Sequence, residues 1–410
     1  MNMEHTLELF EGGTGCDNHR LIHQAAKRWS PPFYLLDGSQ ARKNIREIRS
    51  RMQGLANIAY TLKANPWLAR SLTKEADYLT VCSEGELDLC RYTGVPADKI
   101  ILDGVLRTDR FLSRAMSYGV SRYCVDSLEQ MRQMAAIPAK GQKISVLLRV
   151  SSGNRFGLSQ AEVLMCLDIL KQNSNLDFTG IQYYSGTQRK GAIQAERELN
   201  VLKRWLDLFE ALPGGHFNEI QFGIGVGIPY FQGEPTLPYQ EAFERYEQFV
   251  LEFGARYTLT LEIGRMIAAS SGTYVTQVFE KKRREGRPIL FCLGGTNHIQ
   301  YPGGVLGIRT PKVETICANP SGETEPFSVY GSLCSEDDVL AQKCFLDSQI
   351  APGDLLVFQC AGAYAPVLSQ VMFLMMEMPY ILVYNEEDTE ETIRCVRRNG
   401  LADDVFYRRV

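Results

Sequence analysis

Histidine is scarce in this chain, and it follows no metal-binding pattern. The 410 residues include five histidines, none in an H-E-x-x-H or similar ligand spacing. The sequence therefore does not indicate a zinc site, and a Ser-His-Asp triad would have few histidines to draw on. The 11 cysteines include no C-x-x-C pair, so we expect reduced thiols in a cytoplasmic protein.

Long apolar runs and a strongly one-sided charge are absent as well. No run of about 18 apolar residues occurs, so the sequence predicts no membrane span, and the N-terminus lacks the layout of a secretory signal. The net charge is -4, and no basic stripe alternates with aromatic residues, which argues against a nucleic-acid partner. The length allows two or three domains.

A regular alternation of apolar β-type runs with helical stretches is present between residues 37 and 266. Ser39 is expected to cap the first helix, and Ser159-x-x-Glu162 is a capping box for a later one. Eight strands alternating with helices predict parallel pairing and a TIM-type (β/α)8 barrel in an α/β protein. The predicted strands are Asn57–Leu62, Tyr78–Cys82, Lys99–Asp103, Arg122–Val125, Lys143–Arg149, Thr179–Tyr184, Glu219–Phe222 and Tyr257–Glu262.

A different pattern begins near residue 267 and runs to residue 410. Successive strands follow one another there with turn signals between them, which predicts a C-terminal mostly-β domain. The N-terminal segment, residues 1–36, ends in an apolar run at Phe33–Leu36 that is expected to join this domain. The stretch from Asn385 to Arg398 predicts at most a charged surface helix.

Unusual polar residues follow the predicted barrel strands, at the face where active sites of this fold lie. Lys63 comes directly after the first strand. An amine at the edge of an apolar wall has a lowered pKa and can form a Schiff base, although a lysine there can also simply extend into solvent. Glu262, at the end of the eighth strand, is costly to bury unless it has a partner such as a cationic ring nitrogen.

A phosphate site is predicted near the seventh and eighth strands. Gly225-Val226-Gly227 offers backbone N–H groups after a strand, and Arg265 follows the eighth strand. The alternatives are an ordinary turn for the glycines and a surface ion pair for Arg265. Tyr184 either lies flat on a ring or fills the top of the barrel. A Schiff-base lysine, a phosphate site and a carboxylate for a ring nitrogen together predict pyridoxal 5'-phosphate.

These positions belong to motifs whose order and spacing are familiar. The chain resembles the fold-type III pyridoxal-phosphate decarboxylases, the group of diaminopimelate, ornithine and arginine decarboxylases, whose fold is alanine racemase-like. The resemblance covers about residues 30 to 380. It rests on Tyr60–Pro66, Ser83–Glu86, Arg155–Gly157, Gly186–Gln188, Gly225–Pro229, Glu262–Arg265, Gly331–Asp338 and Ala361–Tyr364.

The resemblance implies a role for each matching residue. Lys63 would form the Schiff base and Glu262 would pair with the pyridine nitrogen. The family also implies a homodimer in which Cys334 reaches the partner's site and helps to protonate the substrate carbanion. The remaining cofactor-binding residues would be Arg149, Tyr184, Thr187, Gly225, Val226, Gly227, Arg265 and Tyr364.

Several positions depart from the family pattern. Tyr184 stands where the family has a histidine stacked on the cofactor, and Val226 replaces the middle glycine of a triple-glycine loop. Ser335 replaces a glutamate that reads the distal ammonium of diaminopimelate, and Tyr301 aligns near the arginine for its distal carboxylate. These changes argue against meso-diaminopimelate. We take Tyr301, Ser335 and Glu336 as candidates for binding a different substrate.

The resemblance predicts α-decarboxylation of an amino acid or an amino-acid-derived group. The substrate would be a small molecule, such as a siderophore or antibiotic intermediate, or an amino acid held on a carrier protein. The alternative is an amino-acid racemase or epimerase of the same fold. Those enzymes prefer an arginine at the ring nitrogen, so Glu262 speaks against that alternative. A non-catalytic relative would be expected to lose Lys63, Arg265 and Tyr364, and all three are present.

Overall fold

The computed structural model describes residues 16–137, 141, 143–212, 214–370, 373–386 and 392–400. Its helices and strands follow one another along the chain as α1 Cys16–Arg28, β1 Phe33–Asp37, α2 Gly38–Arg51, β2 Ala56–Thr61, α3 Ala69–Leu72, β3 Tyr78–Val81, α4 Glu84–Thr93, β4 Ile100–Leu102, α5 Asp109–Tyr118, β5 Arg122–Val125, α6 Leu128–Ala136, β6 Ile144–Val150, α7 Gln160–Gln172, β7 Leu176–Tyr183, α8 Ala192–Ala211, β8 Glu219–Gly223, α9 Leu237–Phe253, β9 Thr258–Ile263, α10 Arg265–Ala268, β10 Gly272–Arg284, β11 Arg287–Cys292, β12 Val313–Ile316, β13 Thr324–Tyr330, β14 Val339–Asp347, β15 Leu355–Phe358, β16 Tyr380–Tyr384 and β17 Ile393–Arg397.

One compact unit, here called the barrel unit, comprises residues 42–228 and 236–266. Its strands β2 to β9 pair in chain order and close into a barrel, and each neighbouring pair is parallel. Every residue of β4 and β8 is buried, as expected for parallel strands that are covered on both faces. The predicted TIM-type barrel is confirmed, and the carboxyl ends of its strands meet at one edge.

Side-chain caps begin several of the barrel helices. The predicted capping box of α7 is present, because the Ser159 N–H donates to the Glu162 carboxylate at 2.9 Å and the Glu162 N–H donates to the Ser159 hydroxyl. The predicted cap of α2 is wrong. The helix begins at residue 38, so Asp37 is the capping residue, and its carboxylate accepts the N–H groups of Ser39 and Gln40 at 2.8 and 2.9 Å.

The second compact unit, here called the β unit, comprises the described residues of 1–41, 229–235 and 267–410. Its main sheet has the order β14-β13-β11-β10-β1-β16-β17, with β15 also paired to β10 and β12. Strand β1 lies antiparallel to β10 and parallel to β16. The early strand therefore joins the C-terminal strands, as the sequence predicts. Buried residues of α1, among them Ile22 and Ala25, pack against Phe33 and Leu35 of that strand.

The predicted surface helix at Asn385 to Arg398 is wrong. Strand β17 occupies its second half and pairs antiparallel with β16, a strand that the sequence interpretation missed. Five-residue strands carry too little periodicity to be identified alone, and here the backbone hydrogen bonds come from the neighbouring strand. Residues 387–391 of the predicted helix lie outside the described residues. In the described parts of the chain, we find no helix with the length and apolarity needed to cross a bilayer.

Candidate active site

Lys63 lies just beyond the end of β2, on a single turn of 3-10 helix at Leu62–Ala64. Its side chain is exposed. The backbone that follows is held firmly, because the buried Tyr60 hydroxyl donates to the Asn65 carbonyl at 2.9 Å and the Asn65 side chain accepts the Trp67 N–H at 3.1 Å. The amine is therefore accessible on a fixed segment of backbone.

Glu86 places a carboxylate near this amine. Its side chain accepts the Cys82 N–H at 2.6 Å, while Ser83 caps the same helix by accepting the Glu86 N–H at 3.2 Å. Burial raises the pKa of Glu86, and the Cys82 hydrogen bond and the charge of Lys63 oppose that rise in pKa. These two hydrogen bonds fix the turn between Cys82 and Glu86, and with it the Glu86 carboxylate near Lys63.

Tyr184 presents its ring to two cations. The Lys63 Nζ lies 5.0 Å from the ring centroid, and the Arg149 Cζ lies 5.9 Å from it. Both distances are in the range of cation–π attraction. The ring also rests on bare backbone, because a Cβ at Gly223 would stand 2.4 Å from its Cδ2. The ring occupies space that only a residue without a side chain at position 223 leaves open.

Arg149 is held by a buried ion pair. Its Nη1 lies 2.8 Å from the Asp126 Oδ1, and both side chains are nearly covered. The same oxygen accepts the Gly157 N–H at 3.2 Å. Burial raises the pKa of Asp126, and the charge of Arg149 counters that rise in pKa. The guanidinium has little freedom to leave its place beside Tyr184.

Glu262 is buried near the end of β9 and is surrounded by side-chain amides. Its Oε1 accepts a hydrogen bond from the Gln182 Nε2 at 2.7 Å and another from the Gln221 Nε2. The Gln182 Nε2 also donates to the Asp103 Oδ2 at 3.1 Å. One amide therefore serves two buried carboxylates, which come from the ends of different barrel strands.

The electrostatic balance at Glu262 follows from these neighbours. Burial raises its pKa, and the Asp103 carboxylate raises it further, whereas the hydrogen bonds from the two glutamines and the charge of Lys63 lower it. The Oε1 atoms of Gln182 and Gln221 are buried and find no hydrogen-bond partner among the described residues. Buried acceptors without a partner, beside a carboxylate, can accept a hydrogen bond from a bound group that carries a proton.

The glycine loop after β8 is built for close approach of the backbone. Gly225 has a φ of +53°, and a Cβ there would stand 2.5 Å from the Gly186 carbonyl oxygen. The Arg189 N–H donates to the Gly225 carbonyl at 3.0 Å, and the Gly227 N–H donates to the Arg189 carbonyl at 3.1 Å. The Gly227 donor is thus already used, while no acceptor in the described residues takes the N–H of Gly225 or Val226.

Arg265 begins the short helix after β9. Its side chain is 6 % exposed, and its Nε donates to the Thr187 hydroxyl at 3.3 Å. Thr187 belongs to the loop after β7. Within the barrel unit, the predicted cofactor-binding residues therefore lie near the carboxyl ends of β2, β6, β7, β8 and β9 or on the segments that follow them.

Tyr364 lies in a tightly held loop of the β unit. Its φ is +65°, which a residue with a side chain rarely adopts. The loop is anchored where the Ala361 N–H donates to the Gly272 carbonyl at 2.8 Å, and a Cβ at Gly362 would stand 1.9 Å from the Ala268 carbonyl oxygen. Backbone strain of this kind is often found at functional sites.

The loop that carries Cys334 is organised by Asp338. The buried Asp338 carboxylate accepts the Thr296 N–H at 2.7 Å, the Thr296 hydroxyl at 3.0 Å and the Leu333 N–H at 2.8 Å. A Cβ at Gly331 would lie 2.2 Å from the same carboxylate. Cys334 itself is exposed, so the loop holds a free thiol at its surface.

The β unit also contains a cavity of about 440 Å³, here called the β-unit cavity. Tyr301 and Ser335 line it, and Glu336 is not among the lining residues. The Tyr301 hydroxyl donates to the Gln359 carbonyl at 2.6 Å, so its ring rather than its hydroxyl faces a ligand. Glu336 is exposed beside this wall.

The structure brings the predicted barrel residues together and adds others that the sequence interpretation missed. Asp103, Asp126, Gln182 and Gln221 join the site around Lys63 and Glu262. Their positions in the sequence could have identified them, because each lies in or directly after a barrel strand. The predicted site residues were identified by the same rule. Among the described residues, no group of three or more His, Cys, Asp or Glu side chains is placed to hold a metal ion.

The chain is similar to several known proteins in sequence and in fold. Residues 36–219 match the family described as alanine racemase, N-terminal domain. The chain is 27% identical to an L-glutamyl-[BtrI acyl-carrier protein] decarboxylase of Niallia circulans, with 94% of this chain and 95% of the relative covered. It is 25% identical to a 2-[(L-alanin-3-ylcarbamoyl)methyl]-2-hydroxybutanedioate decarboxylase of Staphylococcus aureus, with 87% and 95% covered. The fold is similar to that of diaminopimelate decarboxylase from M. jannaschii, with a TM-score of 0.77, 19% identity and 93% of each chain covered.

Proposed function

We propose that this chain, which contains an alanine racemase N-terminal domain and is a homologue of pyridoxal 5'-phosphate-dependent decarboxylases, is a carboxy-lyase. It would remove the α-carboxylate from an amino acid or an amino-acid-derived substrate. The observation that carries the proposal is the buried carboxylate of Glu262, with its two amide donors, in a barrel mouth that also holds Lys63.

The residues of the barrel mouth fit the cofactor. Lys63 offers an accessible amine for its aldehyde, and Glu262 offers a buried carboxylate for its ring nitrogen. The N–H groups of Gly225 and Val226 and the guanidinium of Arg265 would hold its phosphate, and the missing side chain of Gly225 lets this loop pack against the Gly186 carbonyl. When bound, pyridoxal phosphate accepts the electron pair that the departing carboxylate leaves behind.

The remaining cofactor-binding residues would orient these groups. Tyr184 would lie against the ring face, and Arg149 would keep its charge close by. Thr187 would place Arg265, and Gly227 would hold the loop through its bond to Arg189. Tyr364, on its strained loop of the β unit, would add a hydroxyl to the phosphate.

Glu262 is the reason to propose decarboxylation rather than racemisation. Burial and the Asp103 carboxylate both raise its pKa, and a more basic carboxylate holds a proton on the ring nitrogen more firmly. Glu262 would thereby favour the withdrawal of electrons from the reacting carbon, which loss of CO2 requires. The amine of Lys63 would be available as a base near that carbon.

We also propose that two copies of the chain form each active site. Cys334, at the surface of its loop, would deliver a proton to the carbon that has lost CO2 in the partner's barrel. The bond between the α-carbon and the carboxylate carbon would break, CO2 would leave, and one proton would be added to the α-carbon. A homodimer in the cytoplasm is consistent with the reduced thiols expected from the cysteine pattern.

The test begins with cofactor attachment. The purified protein is loaded with pyridoxal phosphate, reduced with borohydride and analysed by peptide mass spectrometry. The adduct should lie on the peptide that contains residue 63, should disappear in Lys63→Ala and should persist in Lys190→Ala, which removes another exposed lysine of the barrel unit. An adduct that survives in Lys63→Ala would overturn the assignment of Lys63.

The reaction is tested by CO2 release from L-amino acids and their side-chain acylated forms. Exchange of the α-hydrogen with solvent, without CO2 release, would mean a racemase instead. Cys334→Ala should slow CO2 release while leaving cofactor attachment unchanged. Equal rates for Cys334→Ala and the unchanged chain would remove Cys334 from the mechanism.

A further inference from the structure

We infer that Arg189 is a positioning residue for the cofactor phosphate. Its backbone and its side chain hold the loop after β8 against the loop after β7, so that the N–H groups of Gly225 and Val226 stay in place as donors. The inference rests on the proposed use of pyridoxal phosphate, and it adds a residue that acts through the phosphate-binding groups around it.

The backbone of Arg189 pairs with the glycine loop. Its N–H donates to the Gly225 carbonyl at 3.0 Å, and its carbonyl accepts the Gly227 N–H at 3.1 Å. These two bonds make an isolated parallel bridge between Arg189 and Val226. They leave the N–H groups of Gly225 and Val226 without an acceptor in the described residues, and successive N–H groups of a turn can bind an anion.

The same bridge explains how a valine is tolerated in this loop. Gly225 has a φ of +53°, whereas the φ of Val226 is not positive. A residue that is paired like a strand does not need the conformational freedom of glycine, and the Val226 side chain is buried. Pairing with Arg189 therefore gives the middle of the loop a fixed backbone.

The side chain of Arg189 holds the loop after β7. Its Nη2 donates to the Ser185 carbonyl at 2.9 Å, and a Cβ at Gly186 would stand 2.6 Å from the same nitrogen. Thr187 lies between these residues and Arg189 in the sequence, and its hydroxyl accepts the Arg265 Nε at 3.3 Å. The turn that the guanidinium closes therefore also places the hydroxyl that orients Arg265.

Glu198 gives this guanidinium a fixed partner. Arg189 and Glu198 form an ion pair, and 19% and 11% of their side chains are exposed. The other carboxylate oxygen of Glu198 accepts the buried Tyr246 hydroxyl at 2.9 Å. Glu198 lies on α8 and Tyr246 on α9, so these three residues, here called the Arg189 clamp, tie both loops to two barrel helices.

Gln188 fixes the far end of the glycine loop. Its Nε2 donates to the Ile228 carbonyl at 2.7 Å, and its Oε1 accepts the Ile228 N–H at 3.2 Å. The N–H groups of Gly225 and Val226 thus lie between backbone positions that are held on both sides. Donors that are already held bind an anion without a further loss of conformational freedom, which raises the affinity.

The clamp should act on the phosphate and not on the rest of the cofactor. Lys63 follows β2 and Glu262 lies on β9, whereas the clamp holds the segments after β7 and β8. Loss of the clamp should therefore weaken binding of the phosphorylated cofactor and spare binding of an aldehyde that lacks the phosphate. A residue that only stabilises the barrel would affect both ligands equally.

The experiment compares pyridoxal phosphate with 5'-deoxypyridoxal, which has the same aldehyde and ring nitrogen but no phosphate. The full chain, freed of cofactor, is incubated with each ligand over a range of concentrations, reduced with borohydride and analysed by mass spectrometry for the adduct at residue 63. In Arg189→Met the half-saturating concentration of pyridoxal phosphate should rise about tenfold or more, and that of 5'-deoxypyridoxal should change by less than about twofold.

Two further variants separate the clamp from the stability of the fold. Arg189→Met leaves the Glu198 charge without its partner, which lowers stability. The double variant Arg189→Met/Glu198→Gln removes that charge, and its amide can still accept the Tyr246 hydroxyl, so it should fold and show the same selective loss. Arg189→Lys keeps a cation beside Glu198 but lacks the planar fork that also reaches Ser185, so it should recover part of the affinity.

Arg245→Met is the matched control. Arg245 also joins α9 to α8, through an ion pair with Glu196 at 2.8 Å. Loss of this arginine should leave the half-saturating concentrations of both ligands unchanged.

Inorganic phosphate gives a readout that does not need the cofactor. Added to the full chain freed of cofactor, it should raise the Tm of the unchanged chain and of Arg245→Met by the same amount. The rise should be smaller in Arg189→Met/Glu198→Gln, because the donors for the phosphate are no longer held in place.

The outcomes separate this inference from the proposed function. If the double variant binds both ligands more weakly by the same factor, or binds both as the unchanged chain does, the inference is overturned and the proposed function stands. An equal rise in Tm with phosphate in the double variant and the unchanged chain overturns it as well. If the unchanged chain binds neither ligand, the proposed function fails and the inference falls with it. A loss confined to pyridoxal phosphate supports the clamp.

Discussion

The side-chain amide of Gln182 donates to the carboxylate of Glu262 at 2.7 Å, although 80 residues separate the two in the sequence. The same nitrogen donates to Asp103 at 3.1 Å. Each hydrogen of one amide is thus used by a different buried carboxylate. The charge state of Glu262 therefore depends on Asp103, a residue that would not itself touch the cofactor.

Replacement of Asp103 should therefore shift the pH range in which Glu262 is ionised. Its negative charge raises the pKa of Glu262, so Asp103→Asn should lower that pKa. Binding of pyridoxal phosphate to the apoprotein is measured by equilibrium dialysis at a series of pH values. The acidic limb of this binding profile should move to lower pH in Asp103→Asn. Asp98→Asn, an exposed change in the preceding turn, should leave the limb in place.

We expect the aromatic face of Tyr184, and not its hydroxyl, to contribute to the affinity for pyridoxal phosphate. Tyr184→Phe keeps the surface that Lys63 and Arg149 contact, so cofactor affinity should stay within about twofold. Tyr184→Ala removes a cation–π and stacking surface worth about 1 kcal/mol or more, and the Kd for pyridoxal phosphate should rise about tenfold. Gly223→Ala should resemble Tyr184→Ala, because the new Cβ occupies the place of the ring. A tenfold loss in Tyr184→Phe would contradict this account.

Asp338 should contribute far more to stability than its neighbour Asp337. Asp338→Asn leaves three donors, from Thr296 and Leu333, facing an amide that can accept less than a carboxylate. Unsatisfied buried donors cost about 1–3 kcal/mol each, so the free energy of unfolding should fall by about 2–3 kcal/mol in urea titrations. Asp337→Asn, at an exposed position, should change it by less than about 0.5 kcal/mol. Similar losses in both variants would show that the carboxylate of Asp338 has no special role.

His298 should make the protein less stable as the pH falls. Burial lowers its pKa to about 4, although the hydrogen bond of its Nε2 to the Glu377 carbonyl at 2.7 Å opposes that lowering. The Nδ1 of the ring lies 3.2 Å from the Tyr274 hydroxyl. In the unfolded chain the pKa of histidine is about 6.5. The unfolded state then binds more protons between these values, and stability that is present above pH 6.5 is lost as the pH falls towards 4.

The size of this effect can be measured by urea unfolding. The contribution of His298 between pH 7 and pH 5 is about 2 kcal/mol, so His298→Gln should flatten the pH dependence by that amount. Glutamine can still donate to Glu377 and accept from Tyr274. His216→Gln, at an exposed position, serves as the control, and equal pH dependence in the two variants would exclude His298 as the source.

The alternation of strands and helices, the capping box at Ser159 and the position of Lys63 after a strand were readable from the sequence. Each depends on neighbours within a few residues, where the periodicity of apolar side chains and the chemistry of caps act. The pattern of eight strands also implied the closed barrel, and with it the edge at which functional residues gather.

Tertiary structure alone decided which side chains meet inside that edge. Asp103, Gln182 and Gln221 look like ordinary polar residues in their own segments, and only closure of the barrel brings them onto Glu262. The pairing of β16 with β17 was likewise decided by a partner outside the local pattern, and the cap of α2 lies at Asp37, two residues before the predicted one. Hydrogen bonds between distant residues leave no period in the sequence, so the charge state of Glu262 and the lining of the β-unit cavity had to be read from the folded chain.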